Sequence, residues 1–255
     1  MTNEDQKANR LKKNKQEIIE ELESHEEIQL SSAFIDLVLE TVISGLDEYE
    51  QFLKEKILQR FKPDDGHILI MGIPGAGKST QGKHLAEVLG ISYISTGELL
   101  REEVKNETVL GLEAKSYMDK GDLVPDELMI AMVAEKLDGQ KMCIVDGFPR
   151  NESQVIANPD FAKKAIALNL SDENATKRLL GRKLDVKDGE APRDDDDAVV
   201  IAKRLGVYHD QTEPVIRYYR EKDALTEVDQ EKDDKDWKVF ANLIAKLIAE
   251  DAKLM

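Results

Sequence analysis

The chain of 255 residues contains a single cysteine, and nowhere does it hold the roughly eighteen consecutive apolar residues that cross a bilayer as a helix. One thiol cannot close a disulfide within the chain, and Cys143, inside the apolar run Met142 to Val145, is expected to be buried. The opening residues Met1 to Asp5 include no apolar stretch of the kind a secretory leader carries, so a cytoplasmic, unanchored protein is expected. Positive charge is scarce as well: 36 Lys and Arg against 52 Asp and Glu give a formal net charge of −16 and a pI near 4.8. Nucleic acids and anionic membranes need clustered positive charge, so neither is expected as a partner. An apolar content of 41% suffices for a substantial core, in one large domain or in one domain with an appendage.

Against this background one segment is rich in glycine. Residues 72 to 80 read Gly72-Ile73-Pro74-Gly75-Ala76-Gly77-Lys78-Ser79-Thr80, a complete G-x-x-x-x-G-K-[ST] sequence that follows the apolar run Ile68 to Met71. Glycines let successive backbone N–H groups converge on phosphate oxygens, a lysine in this place reaches the β- and γ-phosphates, and Ser79 can ligate Mg²⁺ at a helix N-terminus. A bare turn between strand and helix would use some of the same residues. The full spacing with a strand before it and a helix after it favours nucleoside triphosphate binding, and Thr80 to Leu89 sets Leu85, Val88 and Leu89 on one helical face.

The turn cluster Pro63-Asp64-Asp65-Gly66 sets a boundary between a helical extension, residues 1–62, and a larger domain, residues 66–255. Beyond it, strand-like runs at Ile68 to Met71, Ile91 to Ile94, Met142 to Val145, Ala165 to Leu170 and Leu225 to Val228 alternate with helical patterns. That alternation predicts an α/β fold with a parallel sheet covered by helices on both faces.

Further motifs follow the phosphate loop: Ile94-Ser95-Thr96-Gly97-Glu98-Leu99-Leu100-Arg101, Gly121-Asp122-Leu123-Val124-Pro125, Ile144-Val145-Asp146-Gly147-Phe148-Pro149-Arg150 with Gln154, Thr176 to Arg182, Arg193-Asp194-Asp195-Asp196, Lys203-Arg204-Leu205 and Thr212 to Ile216. In this order the series resembles the adenylate kinases, of the nucleoside monophosphate kinase family, over about residues 66 to 250. The resemblance implies a P-loop three-layer fold with a five-stranded parallel sheet, a small helical monophosphate-binding segment at 96–125 and a short lid at 183–192. Only ten residues separate Arg182 from Arg193, and the cysteines of the zinc-bearing lids of some members are absent. A short polar flap is expected over the ATP.

The implied chemistry is transfer of a γ-phosphoryl group from Mg·ATP to AMP, giving two ADP. Its attacking group is a phosphate oxygen already ionised near neutral pH, so no general base is assigned, and the need is for positive charge between two polyanions. Of the ten arginines, six (Arg101, Arg150, Arg178, Arg182, Arg193, Arg204) fall on the quoted motifs, whereas the lysines are scattered. By resemblance the ATP contacts are Gly75, Ala76, Gly77, Lys78, Ser79, Thr80, Arg178 and Arg182. Those to AMP are Thr96, Arg101, Val124, Gly147, Arg150, Gln154, Arg193 and Arg204. The catalytic set is Lys78, Arg150, Arg182, Arg193 and Arg204. Ser79 and, through water, Asp146 would serve Mg²⁺. For each arginine the plain alternative is a surface ion pair, and for Asp194 to Asp197 it is the start of a helix after Pro192.

Substrate choice is readable at two places. Ser95-Thr96-Gly97 and Gln154 match the adenylate kinases, where pyrimidine monophosphate kinases tend to carry Ala and Asn; a Gln amide offers a donor and an acceptor to the adenine edge. Asn151, after Arg150, leans towards the pyrimidine enzymes. The alternatives are therefore a UMP/CMP kinase, a non-catalytic nucleotide sensor with the N-terminal helices as its output, and an ATP-hydrolysing switch. In the extension, Ile28, Ile35, Val42 and Tyr49 recur every seven residues with Leu39, Leu46 and Leu53 between them, a stripe suited to packing on the core or to a homo-oligomer.

Overall fold

The computed structural model describes residues 66–184 and 197–231, together with Lys54, Ile57, Leu58, Phe61, Leu243 and Leu247. The stripe from Ile28 to Leu53, the lid from residue 185 onward, Arg193 and Asp194 to Asp196 lie outside the described residues. The chain divides into two compact units, Phe61–Asp233 and a second made of Met1–Arg60 with Asp234–Met255. In the second unit Ile57, Leu243 and Leu247 are fully buried.

In the first unit the described elements run β1 (Ile68–Gly72), α1 (Lys78–Leu89), β2 (Ser92–Ser95), α2 (Thr96–Lys105), α3 (Val109–Met118), α4 (Asp126–Leu137), β3 (Cys143–Asp146) and α5 (Glu152–Ala157), followed by β4 (Lys164–Asn169), α6 (Asp172–Leu184), α7 (Ala198–Val207), a π-helical turn (Tyr208–Thr212), α8 (Glu213–Glu221) and β5 (Leu225–Asp229). All five strands are parallel, in the order β2-β3-β1-β4-β5. Each lies within a residue or so of its sequence-predicted run. No helix among the described residues is long and apolar enough to cross a membrane.

Strand β1 is an unbroken apolar run because both of its faces are covered. Leu69 and Met71 share a core cluster with Cys143, Val145, Ala165 and Ala167 of the neighbouring strands, Met129 and Val133 of α4, and Val215, Ile216 and Tyr219 of α8. Ile68, Ile70, Ile144 and Ile166 alternate with these residues and are no more than 1% exposed, and each such side chain contributes about 1.5–3 kcal/mol by leaving water. Helix α1 packs on β1, β2 and β3. Its buried face is Gln81, Gly82, Leu85, Ala86 and Leu89, which corrects the expected stripe: Val88 is only half-buried, and Gly82 faces the sheet because the Tyr93 ring and Ile144 occupy the space where a Cβ would stand.

Parallel strands send the loops that follow them to one sheet edge. Ile70 is the Cα partner of Asp146, and Ser95 pairs with Asp146 from the other side, so the chain leaves β1, β2 and β3 at adjacent points along that edge. At the far side of the π-helical turn, His209 joins two helix starts: its ring nitrogens lie 2.9 Å from Glu213 Oε2 and 2.9 Å from Asp172 Oδ1, and these bonds raise its pKa.

At the end of β1, Gly72 has φ +138°, and a Cβ there would be driven into the carbonyl oxygen of Leu168 on β4. Gly139 also has positive φ, +74°, but open space around it. Gly72→Ala is therefore expected to destabilise the fold by roughly 2 kcal/mol, clearly more than Gly139→Ala, which carries only the left-handed backbone penalty. Urea unfolding of the two variants checks this, and equal losses would remove the close strand contact as the cause.

Candidate active site

The loop from Gly72 to Gly77 turns on glycines at positive φ: +138° at Gly72, +90° at Gly75 and +81° at Gly77. Gly75 lies against α6, where a Cβ would meet the Ala175 carbonyl and the Leu179 side chain. Gly77 caps α1, no side chain hydrogen-bonds to that helix N-terminus, and its first turn holds no acid, so the positive end of the helix is left to an anion. Ser79 and Thr80 sit in that first turn, and Ala76 is buried. Lys78 folds back onto the loop, donating from Nζ to the Gly72 oxygen at 2.8 Å and the Ile73 oxygen at 3.0 Å. Burial pushes its pKa down to about 8; Asp146 pulls it up, while Arg150, Arg204 and Arg182 press it lower.

Asp146 ends β3 and is 7% exposed. Its Oδ2 accepts a hydrogen bond from the Tyr93 hydroxyl at 3.0 Å, and burial together with this carboxylate raises the phenol pKa. Gly147, at φ +89°, follows with no room for a side chain: a Cβ would run into Thr96 Oγ1 and come within 2.7 Å of Arg150 Nη2. Its carbonyl accepts from Thr96 Oγ1 at 2.9 Å and from Arg150 Nε at 2.8 Å. Thr212 Oγ1 donates to the Arg150 carbonyl at 2.9 Å, holding this arginine from a second side. The Phe148–Pro149 peptide bond between these contacts is cis.

One cavity is lined by Lys78, Thr96, Arg101, Val124, Gly147, Arg150, Gln154 and Arg204. Every residue expected at the monophosphate site is thus brought to one place, apart from Arg193, which lies outside the described residues. Gly121 lets the Arg204 stem approach, since a Cβ there would stand 3.1 Å from Arg204 Cγ. Arg178 and Arg182 both project from α6; Arg182 acts electrostatically on Lys78, and Arg178 Nη2 donates to the Gln230 carbonyl at 2.7 Å.

A family model described as adenylate kinase matches residues 70–224. The chain belongs to the adenylate kinase family. A protein of Fusobacterium nucleatum named adenylate kinase is 41% identical over 193 residues, 65% of this chain and 92% of that one. Adenylate kinases of Methanocella arvoryzae (41% over 197 residues, 65% and 91%) and Renibacterium salmoninarum (44% over 172 residues, 64% and 86%) are similar to it as well. The protein is a nucleoside monophosphate kinase.

Tyr93 and Asp126 lie outside the quoted motifs, and Thr212 lies in one that implies no role for it. Tyr93 reaches Asp146 only because Gly82 admits its ring, and Thr212 comes from the π-helical turn. Asp126, the first residue of α4, accepts from Asn151 Nδ2 at 2.8 Å, Gln154 Nε2 at 2.7 Å and Ser153 Oγ at 2.9 Å. The Pro125-Asp126-Glu127 helix start was the one local signal for it. Asn151 caps α5, accepting from the Gln154 N–H at 2.8 Å, which gives it a structural reason unrelated to pyrimidines. Asp197 is likewise the cap of α7, its Oδ1 accepting from the Val199 N–H at 2.9 Å.

In the free kinase the Lys78 ammonium should titrate at about 8, read by side-chain NMR of labelled lysine. Arg150→Ala should raise that value and Asp146→Asn lower it further. Since the folded value lies below that of the unfolded chain, the charged side chain weakens the fold below about 8, and this cost fades as the pH rises. A Lys78 titrating at the ordinary lysine value would refute the burial argument.

Proposed function

We propose that the kinase transfers the terminal phosphoryl group of Mg·ATP reversibly to AMP, giving two ADP, with the cytoplasm as its place of work. The observation that carries this reading is that Lys78, at the phosphate loop, lines the same cavity as Arg101, Arg150, Arg204 and Gln154. Donor and acceptor nucleotides then meet across one space. Gly75, Ala76, Gly77, Lys78, Ser79 and Thr80 receive the ATP phosphates, bordered by Arg178 and Arg182. Arg101 and Arg150 clamp the AMP phosphate, and Arg193 and Arg204 bridge the substrates. Thr96, Val124, Gly147 and Gln154 receive the nucleoside. On phosphate binding, Lys78 exchanges its two carbonyl partners for anionic oxygens, and the arginines cancel the repulsion between the two polyanions.

The oxygen set here fits Mg²⁺. Ser79, in the first turn of α1, would offer its hydroxyl, and Asp146, one oxygen of which accepts from Tyr93, would hold a water of the ion with the other. When bound, Mg²⁺ would supply charge neutralisation on the ATP phosphates. The net charge of −16 speaks against a nucleic-acid partner.

A coupled assay of ATP with AMP, CMP, UMP and GMP tests the reading, with AMP expected as the preferred acceptor. Lys78→Met and Arg150→Ala should each lower turnover by about 100-fold or more while the fold survives. Near-normal turnover in either folded variant would take that residue out of the mechanism, and a preference for CMP or UMP would move the protein to the pyrimidine enzymes.

The extension, residues 1–62, is proposed as a packing or self-association element outside the chemistry, since the residues assigned to phosphate all follow Gly66. If the stripe packs in trans, the full chain should sediment as an oligomer and a chain beginning near Asp64 as a monomer; if in cis, the shortened chain should melt at a lower temperature. A truncated protein of unchanged mass and stability that transfers no phosphate would place the extension in the active site instead.

A further inference from the structure

We propose that Asp126 is a positioning residue that fixes the direction of the Gln154 amide, and that this direction selects an amino over an oxo edge on the acceptor base. The inference rests on the reading of the cavity as the AMP site. Gln154 is 2% exposed and lines that cavity. Its Oε1 accepts from the Arg150 N–H at 2.7 Å, a bond only an oxygen can make, and its Nε2 donates to Asp126 Oδ1 at 2.7 Å. Asn151 Nδ2 and Ser153 Oγ also donate to the carboxylate, at 2.8 Å and 2.9 Å. Burial alone would raise the Asp126 pKa, but these three bonds outweigh it and hold the group below the ordinary carboxylate range. At neutral pH Asp126 is therefore an acceptor only.

A turned amide would set its oxygen against that carboxylate and its NH₂ against the Arg150 N–H. Both contacts are repulsive, so one orientation survives. An amide has two N–H donors and two acceptor lone pairs, so after these bonds Gln154 keeps one of each for a ligand, in fixed order. A 6-aminopurine offers a donor beside a ring-nitrogen acceptor, whereas a 6-oxopurine offers an acceptor beside a ring N–H. With the phosphate clamped by arginines the base cannot turn over to match, and the oxo edge leaves buried polar groups unpaired. Asp126 enters from α4 and Gln154 from α5, so the tie also joins the end of the monophosphate-binding segment to the strand-end loop that carries Arg150.

The test uses the full-length kinase with saturating ATP and measures kcat and KM for AMP and for IMP, its 6-oxo counterpart. Wild type is expected to prefer AMP strongly. In Asp126→Ala the KM for AMP should rise about tenfold and the AMP-to-IMP ratio of kcat/KM fall about tenfold, with the KM for ATP unchanged. Asp126→Asn, whose amide oxygen can still take Asn151 Nδ2 and Gln154 Nε2, the two donors that share Oδ1, should restore the ratio. Asp126→Ser, compatible with a helix start, carries the same expectation as the alanine if that variant does not fold. A ratio unmoved in the alanine or serine variant, whatever the loss of overall activity, would reduce Asp126 to a structural residue. An asparagine variant that behaves like the alanine would overturn the acceptor argument. A wild type that does not distinguish AMP from IMP would sink the AMP reading together with this inference, whereas an AMP-selective wild type with an unmoved variant sinks the inference alone.

Discussion

Repulsion among cations that must share one cavity is the constraint on which the rest of this structure depends. The chain as a whole is strongly acidic, yet Lys78, Arg101, Arg150 and Arg204 line a single space. Burial is the main reason the Lys78 pKa is depressed; Asp146 opposes the shift, and Arg150, Arg204 and Arg182 add to it. Backbone carbonyls accept from two of these cations, and from Arg178 of α6 as well. Lys78 rests on the oxygens of Gly72 and Ile73, Arg150 on that of Gly147, and Arg178 on that of Gln230. These dipoles are weaker acceptors than phosphate, so an incoming polyanion can displace them.

Such an arrangement requires a support that does not yield, and the parallel sheet supplies it. The pairing of Ile70 and Ser95 with Asp146 brings the ends of three strands together without any local sequence relation between them. Glycine sets the spacing at the rim. Gly147 admits Thr96 and Arg150 to its own carbonyl, and Gly82 admits Tyr93 to Asp146. In both places the missing side chain is a distance requirement between two other residues.

That distinction explains what could be read in advance. The phosphate loop, the strand runs and the buried Cys143 are local patterns, and the strands are apolar throughout because helices cover both faces. The cavity arginines were legible because they ride on motifs of fixed spacing. Asp126 and Gln154 lie 28 positions apart, and nothing in either segment encodes their meeting. Asn151 leans towards the pyrimidine enzymes by its place after Arg150, yet its work here is to cap α5 and to bond Asp126. Val88 fits the helical period as well as Gly82 does. The side facing the sheet is settled by the Tyr93 ring, which belongs to another element.

Cys143 carries a consequence of a different kind. Its thiol is wholly buried in a central strand, burial raises its pKa, and its nearest polar partner is Gln140 Oε1 at 3.8 Å. A thiol in that state is a poor nucleophile and out of reach of oxidants. The chain has no other cysteine, so a thiol-selective reagent finds its target only through opening of the sheet. The rate at which the purified protein takes up such a reagent is thus a clock for the loosening of its own centre, readable in dilute solution.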